Sequence, residues 1–455
     1  MSALSLDEPR GRWALAATIA GSGMALLDMT IVNVALPAID ADLEAGTAGL
    51  TWTVNAYTLT LASLILLGGS LGDRFGRRRV FLAGVIWFAV ASLLCGVAPS
   101  IGFLVGARAL QGVGGALLTP GSLAILQASF RPQDRSRAIG IWSGVGAVAA
   151  VIGPLLGGWL LDVGSWRWIF LVNLPVAGLV LMLSRQIPET KDADAAQRTD
   201  VVGVGSAVVG LGGLTYGLTA VSVPAMVVGA TVLVVFVAHE ARTPSPMLPL
   251  DVFRSRAFSA TNLVTLLVYA ALSGITLWLV ITLQIVAHES PMRAGLSLVP
   301  LTACMLLLSP FAGAVSDRIG PTIPMTVGPL IMAASTAVLT RIDSDTAYAL
   351  DVILPTIAFG IGLAATVTPL TATVLAAVPD HRAGIASGVN NAVARTGSLL
   401  AIAVLPVVTS IGADGFDDAA TLRPAFVIAM WTCAGLLAAG GLLSAALVRR
   451  PQVTA

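Results

Sequence analysis

One carboxylate in this chain stands where a carboxylate is costly. Asp28 lies inside an apolar run from Trp13 to about Ile39 and is the only acid well inside such a run. Holding a charge near a bilayer centre costs at least ~2.5–3.5 kcal/mol, so acids retained there generally work. Hydrocarbon favours the neutral form of an acid, which suits Asp28 to take up and release a proton. Arg108, seven residues into another apolar run, is the nearest match in depth. At ~1.5 Å per helical residue, Asp28 lies roughly 16 Å and Arg108 roughly 10 Å below one boundary. Their long side chains can meet. A static buried ion pair and a proton carrier tuned by Arg108 are both consistent with this, and a backbone carbonyl is an alternative partner for Arg108.

A second charged group sits in GGSLGDRFGRRRV at 68–80, where Asp73 is flanked by Arg74, Arg77, Arg78 and Arg79. A carboxylate at a helix end can pair with arginines and with the positive end of another helix. Gly69, Asp73, Arg74, Gly76 and Arg77 therefore read as a conformational latch, while Arg78 and Arg79 suffice to fix topology. In SGVGAVAAVIGPLLGGWL at 143–160, Gly153-Pro154 precedes Gly157-Gly158; small residues four apart let helices approach, and proline bends them. Arg395 lies deep in an apolar run just after Asn390 and Asn391, and either carbonyls and asparagines satisfy it or it meets a polar group in a cavity. Asn33, Asn55, Tyr57, Trp142, Tyr269, Trp278 and Gln284 are further cavity candidates, with packing or lipid contact at least as natural for the aromatics. His239, His288 and His381 are far apart and give no metal site. Cys95, Cys304 and Cys433 read as small apolar residues, and no phosphate-binding Gly-x-x-x-x-Gly-Lys loop occurs. No cofactor and no catalytic residues are expected.

The elements that position these groups must be membrane helices. Of 455 residues, 56% are hydrophobic and only 11% charged, against roughly 25% charged in soluble domains. Mean hydropathy is +0.90. A net charge of +1 gives no case for nucleic acid. Runs near the ~20 residues that cross the hydrocarbon fall at 13–39, 50–70, 79–98, 101–126, 137–161, 166–187, 200–220, 223–240, 257–286, 294–315, 322–341, 349–377, 383–411 and 423–447. The first is too long for a signal peptide. Reading 200–240 as one hairpin that does not cross would leave twelve. With the N-terminus inside, nineteen of the 25 basic residues fall on the inner face and four on the outer, the skew that orients membrane proteins. Both termini are then cytoplasmic. Residues 187–199 read as a solvated linker. Lys191 is the sole lysine, a pattern of GC-rich genomes.

The chain repeats itself. Asp73-Arg74-Phe75-Gly76 returns as Asp317-Arg318-Ile319-Gly320, GVGGALLTP at 112–120 as GIGLAATVTP at 360–369, and PQDRSRAIGIWSG at 132–144 as PDHRAGIASG at 379–388. Three echoes in one order mark two related six-helix bundles, with two extra helices between them, and such parallel repeats hold substrate at their interface. The expected division is 1–187 for the first bundle, 188–256 for the linker and inserted helices, and 257–455 for the second bundle.

At these residues the chain resembles the major facilitator superfamily. Gly69, Gly72, Asp73, Arg74, Gly76, Arg77, Arg78 and Arg79 match its loop signature between the second and third helices. LDMTIVNVALPAI at 27–39 and Arg108-Ala109-Leu110-Gln111-Gly112 resemble the drug:proton antiporter branch with fourteen spans. Gly140, Gly153, Pro154, Gly157 and Gly158 match its antiporter helix, with Ala149 where glycine is usual. The resemblance implies an all-α membrane protein of fourteen helices in the plasma (inner) membrane of a bacterium. It also implies a proton-coupled exporter of small hydrophobic drugs or antibiotics, driven by the proton gradient and functional as a monomer, with Asp28 and Arg108 coupling the proton. A dedicated antiporter or facilitator for one metabolite is the alternative. Asp28 as the lone deep acid fits neutral or weakly basic substrates better than dications.

Overall fold

The computed structural model describes residues 4–191, 200–219, 222–243, 246, 248–411 and 418–448. Arg198, Arg449 and Arg450, counted above for orientation, lie outside these residues, as does most of the expected linker. The long apolar runs form α1 (Pro9–Leu43), α2 (Gly46–Phe75), α3 (Arg77–Gly96), α4 (Ile101–Ser129) and α5 (Pro132–Val163). The sixth run breaks once, into α6 (Arg167–Leu171) and α7 (Asn173–Leu183). The inserted pair is α8 (Val201–Thr219) and α9 (Val223–Glu240), followed by α10 (Arg256–Ile285), the short α11 (Pro291–Leu296), α12 (Val299–Ile319), α13 (Thr322–Leu339), α14 (Leu354–Ala376), α15 (Ala383–Val408) and α16 (Ala419–Leu447).

Thirteen of the described segments are long and apolar enough to span, and α5, 32 residues long, is the fourteenth by length. At 19 and 18 residues, α8 and α9 each reach about the ~30 Å hydrocarbon thickness, as two crossings require. Local chemistry sets the ends. Pro9 and Pro132 stand in the first turns of α1 and α5, where no N–H is needed. Ser100 Oγ accepts from Phe103 N to start α4 (3.4 Å), and Asp418 accepts from Thr421 N to start α16 (3.0 Å).

The described residues form two compact units. One holds Met1–Ala138, Val145–Val252 and Val378–Ala392, and the other Ile139–Gly144, Phe253–Ala377 and Val393–Ala455. In the first, α4 packs along α2 and α3, α1 packs on α4 and α7, and α8 lies on α2 with α9 beside it. A core of Ile31, Val32, Ile39, Leu104, Ile169 and Phe170 fills the α1, α4 and α6 junction. In the second, α10 packs with α16, α13 with α14 and α16, and α12 with α14. Large apolar side chains left outside, such as Ile86, Val90 and Leu93 on α3 and Val227, Val228, Val234 and Val235 on α9, are what lipid contact demands.

One expectation is corrected. The stretch from residue 187 does not begin as a solvated linker: Ile187 is buried, Thr190 O accepts from Arg77 N (2.9 Å), and Glu189 accepts from Arg78 N and Arg79 N (3.1 and 3.2 Å). The first turn of α3 exposes N–H groups with no helical partner, and this acid supplies one.

Candidate functional site

Asp28, midway along α1, is fully buried. Its Oδ2 accepts from Arg108 Nη1, and its Oδ1 accepts from Gln111 Nε2 (2.8 Å) and Asn173 Nδ2 (3.1 Å). Arg108 and Gln111, three apart on α4, share a helix face, and Arg108 Nη1 also donates to Gln111 Oε1 (2.5 Å). Arg108 Nε donates to Thr53 O in α2 (3.0 Å), so the ion pair and the carbonyl partner considered for Arg108 occur together. Ser92 of α3 accepts from both amides (2.8 and 3.2 Å), and Cys95 Sγ reaches Gln111 Oε1 at 3.7 Å.

Aromatic faces close the site. The Arg108 guanidinium lies 4.5 Å from the Tyr57 ring centroid and 5.7 Å from that of Phe170, geometry that stabilises a desolvated cation. Tyr57 is buried, and its hydroxyl donates to Ala25 O (3.1 Å). Five helices thus supply one polar cluster in an apolar surround. Each hydrogen bond to Asp28 among the described residues is donated to it. A protonated carboxyl must itself donate, and neither an arginine nor an amide NH2 can accept. Proton uptake at Asp28 therefore removes the charge that holds these donors, weakens its pairing with Arg108, and adds an O–H that needs an acceptor.

Gln111 entered only as part of the Arg108–Gly112 resemblance, without a role of its own, and Asn173 and Ser92 were not singled out from sequence. The signal for Gln111 was its spacing from Arg108. Asn173 opens α7 after the break in the sixth span, and a lone serine such as Ser92 leaves no mark in hydropathy.

A second cluster surrounds the 68–80 loop. Asp73 is 3% exposed. It accepts from Gly384 N and Ile385 N (2.9 and 2.8 Å), the first amides of α15, and pairs with Arg77 four residues on (2.8 Å). Arg77 Nη2 also donates to Asp380 O (2.6 Å). Asp380 in turn holds Arg135 through both oxygens (3.1 and 2.8 Å). Gly69 lies so close to Gly384 O that a Cβ would collide with it. Gly76 has φ +110 and ends α2. Arg74 lies over the Phe75 ring at 5.0 Å. The other side of this arrangement, the Gly384 and Ile385 amides that donate and the Asp380 carbonyl that accepts, was not anticipated.

The remaining candidates divide. On α5, a Cβ on Gly153 would strike Thr30, one on Gly157 would strike Ile31, and one on Gly140 would strike Ser309 O of α12, whereas Gly158 faces open space. Pro154 lies within α5, its side chain outside the described residues. Trp278 is buried within the second unit. Asn33, Asn391 and Gln284 donate to their own helices, to Met29 O (3.2 Å), Ser387 O (2.9 Å) and Val280 O (3.2 Å). Arg395 acts electrostatically on Tyr269. Asn390 is 8% exposed, and Asn55, Trp142 and Tyr269 are half-buried. No group of three metal-ligating side chains occurs among the described residues.

The chain is similar to known proteins over most of its length. Residues 18–402 match the Major Facilitator Superfamily model. The chain is 37% identical over 401 residues to multidrug resistance protein Stp of Mycobacterium tuberculosis, covering 86% of this chain and 74% of that protein. It is 36% identical over 418 residues to the puromycin resistance protein of Streptomyces alboniger, covering 89% and 82%. It is 36% identical over 425 residues to the tetracenomycin C resistance and export protein of Streptomyces glaucescens, covering 90% and 78%. Its fold superposes on the human organic anion transporter MFSD10 with a TM-score of 0.71 at 15% identity, covering 96% and 100%. The chain belongs to the Major Facilitator Superfamily, and is a multi-pass membrane transporter rather than an enzyme.

Proposed function

We propose that this transporter is a proton-coupled exporter of small hydrophobic drugs or antibiotics. It works by alternating access as a monomer in a bacterial inner membrane, with both termini cytoplasmic and six helices on each side of the inserted pair. One observation carries the reading: a buried carboxylate that accepts from Arg108, Gln111 and Asn173 at once. Charge removal at Asp28 weakens its hold on Arg108, Gln111 and Asn173, so protonation is linked to a change in how α1, α4 and α7 meet. Such an event couples a proton to a conformational equilibrium. The names of the relatives support the export direction and the class of compound.

In the same reading the Asp73 cluster is the latch of one end state. Its bonds to the start of α15 form when the cytoplasmic side shuts and break when it opens. Gly140, Gly153 and Gly157 are places where α5 meets its neighbours without intervening side chains.

The test is transport in inverted vesicles, following proton movement while a chemically varied panel of compounds is added. Wild type is expected to exchange protons for several hydrophobic members, and Asp28→Asn to lose at least ~10-fold of that exchange, about 1.4 kcal/mol of coupling. Undiminished efflux in Asp28→Asn that collapses only on ATP depletion sinks the reading. Exchange with a single compound of the panel replaces the broad exporter with a dedicated one.

A further inference from the structure

The inserted pair takes no part in the mechanism above, yet it contains a buried acid of its own. Glu240, the last residue of α9, is 3% exposed. Its Oε2 accepts from Leu248 N (3.0 Å). Its Oε1 has no hydrogen-bond donor. What faces it is the carboxylate of Asp200, immediately before α8: a Cβ built on Gly203 would strike Glu240 Oε1 and Asp200 Oδ2 together.

Asp200 is committed elsewhere. Gly203 N donates to its Oδ1 (2.8 Å), starting α8, and His239 Nε2 lies 3.0 and 3.1 Å from its two oxygens. Its side chain is 5% exposed. Burial pushes the Asp200 carboxyl up, but the Gly203 amide, His239 and Glu240 outweigh it and hold Asp200 below the usual carboxylate range. Asp200 is therefore the partner that stays ionised. Among the described residues, Asp200 and His239 are the charged side chains that act most on Glu240. Two carboxylates face to face away from water do not both ionise.

We propose that Glu240 and Asp200 form a second proton-binding site, separate from Asp28, in which Glu240 holds a proton and donates it in a hydrogen bond to Asp200. Loss of that proton breaks the Glu240 O–H bond and passes the proton to water past His239, whose side chain is 31% exposed. Two anions are left facing each other, and the end of α9 separates from the start of α8. On the topology proposed above this end faces the cytoplasm, so the site reads internal pH. The movement has a route into the transporter. Gly212 of α8 meets Ser63 of α2 so closely that a Cβ would lie 2.8 Å from its Oγ, and Tyr216 stacks on Trp52 with centroids 6.0 Å apart. Asp73 lies on that same α2.

The experiment is amide hydrogen exchange on the full chain in lipid nanodiscs, corrected for intrinsic rates, over peptides covering 200–210 and 236–248 from pH 5.5 to 8.5. In wild type, protection of both peptides is expected to fall at least ~10-fold as pH rises, the effect of about one pH unit of differential proton binding. Glu240→Gln keeps the donor and cannot ionise, so its protection stays high throughout. Asp200→Asn lets its amide donate to the Glu240 anion, which also flattens the transition. Asp28→Asn, which loses transport, retains the wild-type transition, so failure here is distinguishable from failure of the coupling site. A wild-type junction indifferent to pH, or a transition that persists unchanged in either Glu240→Gln or Asp200→Asn, overturns the proposal.

Discussion

The two copies of the Asp-Arg-x-Gly turn share a backbone and part company in their side chains. Gly76 ends α2 with φ +110 and Gly320 ends α12 with φ +86. Each donates its N–H four residues back, to Gly72 O (3.1 Å) and Ser316 O (2.8 Å). Yet Asp73 is nearly inaccessible and caps α15, whereas Asp317 and Arg318 are exposed. The reason is visible four residues later: Arg77 follows Asp73 by one helical turn and neutralises it, but Pro321 occupies that place after Asp317. Burying a carboxylate is costly unless a cation comes with it, and the first copy carries its cation one turn on. The third echo differs in the same manner. Asp134 accepts from Leu6 N (3.1 Å) in the N-terminal segment, while Asp380 takes the Arg135 fork. Repetition here preserves turns and leaves each copy its own chemistry.

The largest expected effect breaks this comparison most directly. Asp73→Asn should lower transport at least ~10-fold at normal expression, about 1.4 kcal/mol, and Asp317→Asn should change it less than ~2-fold. Equal losses in vesicle assays would make the two turns functional equals and remove the latch. Next, Gly76→Ala and Gly320→Ala should each cost ~1–3 kcal/mol of stability, because both need a left-handed backbone. Melting in detergent measures this, and an unshifted variant would show that its turn is not held in that conformation. Smallest is Glu189→Ala, expected to cost about 1 kcal/mol by uncapping α3. Faster amide exchange confined to residues 77–80 is the expected sign, and unaltered exchange there would mean that solvent serves α3 as well as Glu189 does.

The fold was legible because each crossing needs a long apolar run, and each reversal after the Asp-Arg-x-Gly motif needs glycine. The meeting of Asp28 with Arg108 was legible for the same reason, since depth in a helix follows from counting residues. Gln111, Asn173 and Ser92 were not, because neutral polar groups in helices leave little trace in hydropathy and their partners lie on other helices. Gly384 and Ile385 were hidden more deeply: they act through main-chain N–H groups that every residue carries, and 311 residues separate Asp73 from Gly384. Glu240 was passed over because it stands at a span's edge, where an acid is ordinarily solvated.

The N-terminal segment adds a matter of timing. Leu4 donates to Ser129 O (2.8 Å), Arg131 N donates back to Leu4 O (3.0 Å), and Arg131 also reaches Ser5. Leu6 and the acid that holds it are 128 residues apart. At ~5–20 residues per second of synthesis, the segment leaves the ribosome roughly 6–26 s before its partner exists. It waits unpaired while four helices enter the bilayer, and closes on the α4–α5 junction only once they are in place. The segment is thus fastened later than the four helices that follow it in the chain, and its docking marks the moment at which the α4–α5 junction is complete.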